Sequence, residues 1–183
     1  MPARPSVRLF VAIDAGSAEA AGDRPRAPEH LTLHFLGEVL PERVPAIEER
    51  LAEIARETPG FDLELDGIGA FPNSRNPRVV WVGVKGGRAE VSALAHRIGS
   101  ALGAGPAEAA TATFVPHLTL FRVRSPAQRR RAAALLSGAE PPPPPRTVPI
   151  RELHLKESTL SPGGAHHRTL ASWPLAGPAT ESK

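Results

Sequence analysis

His30-Leu31-Thr32-Leu33 recurs as His117-Leu118-Thr119-Leu120. A tetrapeptide repeated in a chain of 183 residues points to an internal duplication. Around the first copy apolar and polar residues alternate, Leu31, Leu33 and Phe35 against His30, Thr32 and His34, as they do on a half-buried strand. Residues two apart on a strand share a face. Each copy is therefore expected to bury its leucines and to present a histidine and a threonine hydroxyl together on the other side. Two such strands side by side would set two imidazoles and two hydroxyls around one cleft, a constellation for acid–base chemistry on an anion.

The flanking sequence supplies the rest of an α+β fold. Residues 7–14 are β-branched and apolar and predict a buried opening strand, whereas 15–28 have no apolar periodicity and predict a loop. The first repeat strand spans 30–36 and stops at Gly37. From Pro41 to Thr58 the apolar positions Val44, Ile47, Leu51 and Ile54 carry helical spacing, ended by Pro59-Gly60. Residues 61–66 alternate as a strand, 71–77 are turn-rich, and 79–84 predict another buried strand. A second helix is predicted over 89–102, with Val91, Leu94, Ile98 and Leu102 in one stripe, and the second repeat strand over about 113–122. Ser125-Pro126 is a helix start and Gly138 a stop. The five prolines 141–145 predict an extended connector. Two strands, 150–160 and 168–175, then follow, joined through Ser161-Pro162-Gly163-Gly164. The expected architecture is two similar lobes, each a small antiparallel sheet backed by helices, with the repeat strands lining a central cleft. Residues 7–175 are expected to form this single bilobal domain, with 1–6 and 176–183 as flexible termini.

Composition removes several classes of chemistry. The chain has no cysteine, which excludes disulfide frameworks, thiolate–zinc sites and cysteine nucleophiles. It has no run of 18 apolar residues, and Met1-Pro2-Ala3-Arg4-Pro5 lacks a signal peptide's apolar stretch, so a soluble, cytoplasmic protein with no membrane contact is expected. A net charge of +3 and a pI near 10.1, carried mostly by arginine, suit a polyanionic partner. A GC-rich genome would favour the same arginines, so charge alone does not decide for RNA.

Histidine changes charge near neutral pH, so a pair can supply one base and one acid in a single turnover. The threonine two residues on can hydrogen-bond a nonbridging oxygen where charge builds up. Phosphodiester cleavage needs these parts and no covalent intermediate. The competing chemistry is a divalent metal. The pairs are His-x-Thr rather than His-x-His, and neither motif contains a carboxylate, which disfavours ligation. His30 and His34 sharing a face would be the remaining metal option, although His34 is expected to serve as a cleft wall. His96 is expected on the surface of its helix. Phosphate-loop, nucleophile-elbow and dinucleotide-binding motifs are absent from the sequence.

Several segments resemble the 2H phosphoesterase superfamily, specifically the bacterial and archaeal RNA 2′,3′-cyclic phosphodiesterases historically called 2′-5′ RNA ligases. Arg8-Leu9-Phe10-Val11-Ala12-Ile13 is similar to that family's opening strand, and residues 30–38 to its first motif, including Phe35-Leu36-Gly37. Residues 114–122 resemble the second motif, with Arg122 five residues after His117, and 155–165 resemble the last hairpin. The resemblance implies a cofactor-free, metal-independent, monomeric hydrolase that opens terminal 2′,3′-cyclic phosphates on RNA ends or nucleotides to 2′-phosphates. It implies His30 as the acid at the leaving 3′ oxygen, His117 as the base on water, and Thr32 and Thr119 as phosphate contacts. Arg122 is implied to contact phosphate or base. Strict alternation would put Arg122 opposite His117, so a bulge is required. Phe10 is expected in the core, with base stacking as its alternative role. Two departures stand out: residues 14–29 are short and lack the usual amphipathic helix, and His167 replaces a common tyrosine. The rival readings are a 2′-5′ ligase or 2′-5′ phosphodiesterase, a non-catalytic nucleotide- or RNA-binding module, and a metal-dependent hydrolase.

Overall fold

The structure, a computed structural model, describes residues 6–16, 30–103, 114–161 and 164–177. The loop expected over 15–28, most of each terminus and the tip of the last hairpin lie wholly or partly outside these residues. Eight strands and three α-helices are arranged around two antiparallel four-stranded sheets among the described residues.

The first sheet contains β1 (Val7–Asp14), β2 (His30–Val39), β7 (Glu152–Ser161) and β8 (Gly164–Pro174), in the order β2-β1-β7-β8. The second contains β3 (Phe61–Phe71), β4 (Val79–Gly86), β5 (His117–Arg122) and β6 (Arg146–Ile150), in the order β5-β4-β3-β6. Each repeat strand is thus an edge strand. Each pairs antiparallel with an inner strand, β2 with β1 and β5 with β4. The two edges adjoin, and one apolar core runs beneath both sheets, from Leu9, Val11, Ile13 and Leu31 to Val82, Leu118, Leu153 and Leu155. The duplicated α+β architecture expected from the repeat is the one observed.

The helices follow their apolar stripes. Helix α1 (Val44–Glu57) buries Ile47, Leu51, Ile54 and Ala55 against β7 and β8. Helix α2 (Arg88–Leu102) buries Val91, Leu94, Ala95 and Ile98 and packs on α1 and β2. Helix α3 (Pro126–Ser137) starts where Ser125 Oγ accepts a hydrogen bond from the Gln128 amide at 3.2 Å. It stops at Gly138, whose φ of +80° a side chain would resist. Its small apolar face, Ala132 and Leu135, covers Val80.

The structure differs from the sequence reading in four places. Residues 150–160 were expected as part of one continuous strand, but the chain changes sheets at Arg151: β6 pairs with β3, and β7 pairs with β1. Strand β6 is short and contains Pro149, which a ladder tolerates at a sheet edge. The Arg151 guanidinium pins the crossover, donating to the carbonyls of Phe61 and Ile150 at 3.0 Å each and to Asp62 Oδ1 at 3.1 Å. Strand β3 runs on to Phe71, beyond its alternating segment, because β4 pairs with it along that length. Strand β5 begins only at His117, since Pro116 has no amide to donate.

The fourth difference lies in β2. Ala12 faces Thr32 and Val11 faces His34, so Leu33 is an extra residue in the ladder; Leu36 is a second. The bulge inverts alternation past Thr32. Phe35 was expected inside and is instead 41% exposed; His34 was expected as a cleft wall and is 1% exposed. With His34 turned away, the pairing of His30 and His34 around a metal is lost.

Leu31 is fully buried where the two edge strands meet the common core. Leu31→Ala is expected to lower unfolding free energy by about 2–5 kcal/mol in urea titrations, while a loss under about 1 kcal/mol would mean that the site is not packed as described.

Candidate active site

The same bulge occurs in the second half. Trp81 faces Thr119 and Val80 faces Phe121, leaving Leu120 as the extra residue in β5. Paired residues share a face. Gly83 with His117, Trp81 with Thr119, and Val79 with Arg122 therefore lie on one side of the sheet, and Val82 with Leu118 on the other. This is the irregularity that Arg122 requires, and it brings the guanidinium to the face of His117. The first half follows the same scheme: Asp14 faces His30, Ala12 faces Thr32, and Phe10 faces Phe35.

All five residues singled out in sequence, His30, Thr32, His117, Thr119 and Arg122, line one cleft of about 2220 Å³ with walls from both sheets. The Arg122 charge acts on His117 in its own half and on His167 in the other, so the halves face each other electrostatically.

His117 is held in a defined tautomer. Its Nδ1 lies 2.8 Å from the Val115 carbonyl, which can only accept, so Nδ1 carries the proton and Nε2 keeps a lone pair. Phe71 meets the ring edge-on at 4.9 Å and Trp81 lies 5.9 Å away. Burial among these rings lowers the His117 pKa below the usual histidine value; the hydrogen bond to Val115 opposes this, and the Arg122 charge adds to it. The ring is consequently neutral near pH 7. Trp81 lies flat across Gly69, where even a Cβ would fall 2.2 Å from the indole. Gly69 is thus the seat that lets the indole support His117.

His30 rests on Phe10, with ring centres 5.2 Å apart. Phe10, 2% exposed, also supports Phe35 at 6.0 Å and His167 at 5.0 Å. It is buried, as expected, yet it forms the floor of the cleft rather than part of the helix-packed core. His167 faces the cleft and meets His30 edge-on at 5.0 Å. Its pKa is lowered by desolvation, then by the charges of Lys156, Arg122 and His166.

Beneath these rings lies a charged group that sequence reasoning missed. Lys156 is 3% exposed; its ammonium lies 2.9 and 3.1 Å from the two Asp14 carboxylate oxygens and 3.1 Å from Thr169 Oγ1. A buried cation is retained only when its donors are matched in this way. His154 stands beside the pair, with Nε2 3.6 Å from Asp14 and Nδ1 2.8 Å from Ser172 Oγ; burial lowers its pKa, Asp14 opposing. The available signal was the period-two placing of His154 and Lys156 between the core leucines of β7. His96 is exposed on α2, as expected. Among the described residues no three His, Asp or Glu side chains are grouped to hold a metal, and no helix is long and apolar enough to cross a membrane.

Two edge strands, each presenting His-x-Thr into a shared cleft, define a two-histidine phosphoesterase architecture. The sequence model of the 2′-5′ RNA ligase superfamily matches residues 5–159. The RNA 2′,3′-cyclic phosphodiesterase of Aeropyrum pernix is 38% identical over 144 residues, 77% of this chain and 78% of that protein. The protein of the same name from Archaeoglobus fulgidus is 32% identical over 179 residues, covering 90% and 98%. The crystal structure of Escherichia coli LigT in its apo form superposes with a TM-score of 0.66 at 28% identity, covering 94% of this chain and 99% of that one. The chain belongs to the 2′-5′ RNA ligase superfamily.

Removing the neighbouring cation should relax His117. In Arg122→Gln the His117 midpoint, followed by its imidazole proton signals in NMR titration, is expected to rise toward the free value. An unchanged midpoint would show that the guanidinium does not act on this ring.

Proposed function

We propose that this protein is an RNA 2′,3′-cyclic phosphodiesterase, which hydrolyses terminal cyclic phosphates to 2′-phosphates without a metal. The observation that carries the reading is the pair of His-x-Thr units facing one cleft, with His117 Nε2 left as an acceptor by the hydrogen bond from Nδ1 to Val115. The names of the relatives support the same substrate class.

In this mechanism His117 Nε2 takes a proton from water as its oxygen attacks phosphorus. The phosphorus–O3′ bond breaks, His30 protonates the departing oxygen, and the phosphate stays on O2′. His117 is then protonated and His30 neutral, and exchange with solvent resets both. Thr32 and Thr119 donate to the nonbridging oxygens, and Arg122 balances their developing charge. A lowered His117 pKa keeps the base unprotonated well into mildly acidic solution, which is the state the first step consumes.

His30→Ala and His117→Ala should each lower turnover of a 2′,3′-cyclic nucleotide by at least about 100-fold with the circular dichroism spectrum unchanged. The double variant should lose far less than the product of the single losses, because acid and base act as a unit. Near-normal turnover in either single variant would overturn the two-histidine scheme.

Activity should also survive dialysis against EDTA. A loss restored by added zinc or manganese would assign the cleft to metal-assisted hydrolysis instead.

A further inference from the structure

The two halves of the cleft match position for position until the fifth residue after each histidine. In both, the extra leucine follows the threonine, and the residue two places beyond it returns to the cleft face. In the second half that residue is Arg122, opposite Val79; in the first it is Phe35, opposite Phe10. A cation and an aromatic ring thus occupy equivalent places on opposite walls.

The surroundings extend this division. Of the arginines lining the cleft, Arg78, Arg122, Arg124, Arg131 and Arg146 belong to the half built on β3–β6, and only Arg8 to the other. Phe35 is 41% exposed although its neighbour Phe10 is buried, so it offers a ring face that nothing in the fold covers. A large exposed aromatic beside an acid–base pair loses hydrophobic free energy unless a ligand covers it. A nucleobase is the flat apolar part of the proposed substrate, and base–aromatic stacking is indifferent to base identity.

We propose that Phe35 is the platform for the base of the terminal nucleotide. The substrate then lies across the cleft in one orientation, with the base on the β2 wall and the phosphodiester chain toward the arginines of the β5 wall. This orientation rests on the phosphodiesterase reading above and adds its specificity determinant. It also explains how a nearly symmetric pair of histidines receives an asymmetric substrate: the phosphate sits between them, and the base selects which imidazole meets the leaving oxygen.

The test compares adenosine 2′,3′-cyclic phosphate with 1-O-methylribose 2,3-cyclic phosphate, which has no base. Phe35→Ala should raise KM for the nucleotide about tenfold, the scale of one lost stacking contact, and leave KM for the baseless compound unchanged. Phe35→Trp should restore the nucleotide KM. Equal losses on both compounds, or no loss on either, would overturn the assignment. A loss of base preference in Phe114→Ala but not in Phe35→Ala would move the platform to the β5 wall and overturn it as well. Calorimetric binding of adenosine 2′-monophosphate against ribose 2-phosphate reads the same contact without turnover. An inert wild-type enzyme that still loses base preference in Phe35→Ala would count against the hydrolase reading alone.

Discussion

A single extra residue after each His-x-Thr unit is the constraint on which the cleft depends. Strand alternation is rigid: a shift of one residue sends every later side chain to the other face. Without Leu33 in β2, Phe35 would turn into the interior and His34 toward the cleft. Without Leu120 in β5, Arg122 would point away from His117. The leucine at the fourth place of the repeated tetrapeptide is therefore more than a core residue. It resets the alternation, so that histidine, threonine and the residue at the fifth place share one wall.

The two histidines are supported by different means. His117 is fixed through its own ring nitrogen and enclosed by Phe71 and Trp81, with Gly69 giving the indole its place. His30 stands on Phe10 among other rings, above an ammonium neutralised by Asp14. The first arrangement holds a neutral imidazole with a free acceptor. The second surrounds its imidazole with aromatic edges and a fixed ion pair. The same tetrapeptide is thus given two environments by strands distant from it in sequence, and acid–base division of labour needs that inequality.

The electrostatics of the cleft are similarly uneven. Arginines crowd one wall, and Lys156 lies sealed within the other. A polyanion meets its counter-charges along the first wall. The second wall meets it with rings.

The sequence by itself determined the duplication, the strand character of both repeats, the helices and the five residues that come to one cleft. These are readable locally, because alternation, helical spacing, capping residues and glycine stops act within a few positions of chain. It also required a bulge before Arg122, since the guanidinium could not otherwise share a face with His117. The tertiary structure alone decided that Leu33 and Leu120 are the bulged residues, that His34 is interior and Phe35 open, and that the chain leaves one sheet for the other at Arg151. It alone brought Lys156 onto Asp14, and Trp81 over Gly69. Each of these depends on which strand lies alongside, and strand pairing joins residues far apart in sequence. A local pattern carries the period of a strand, while its register is set by the partner across the ladder.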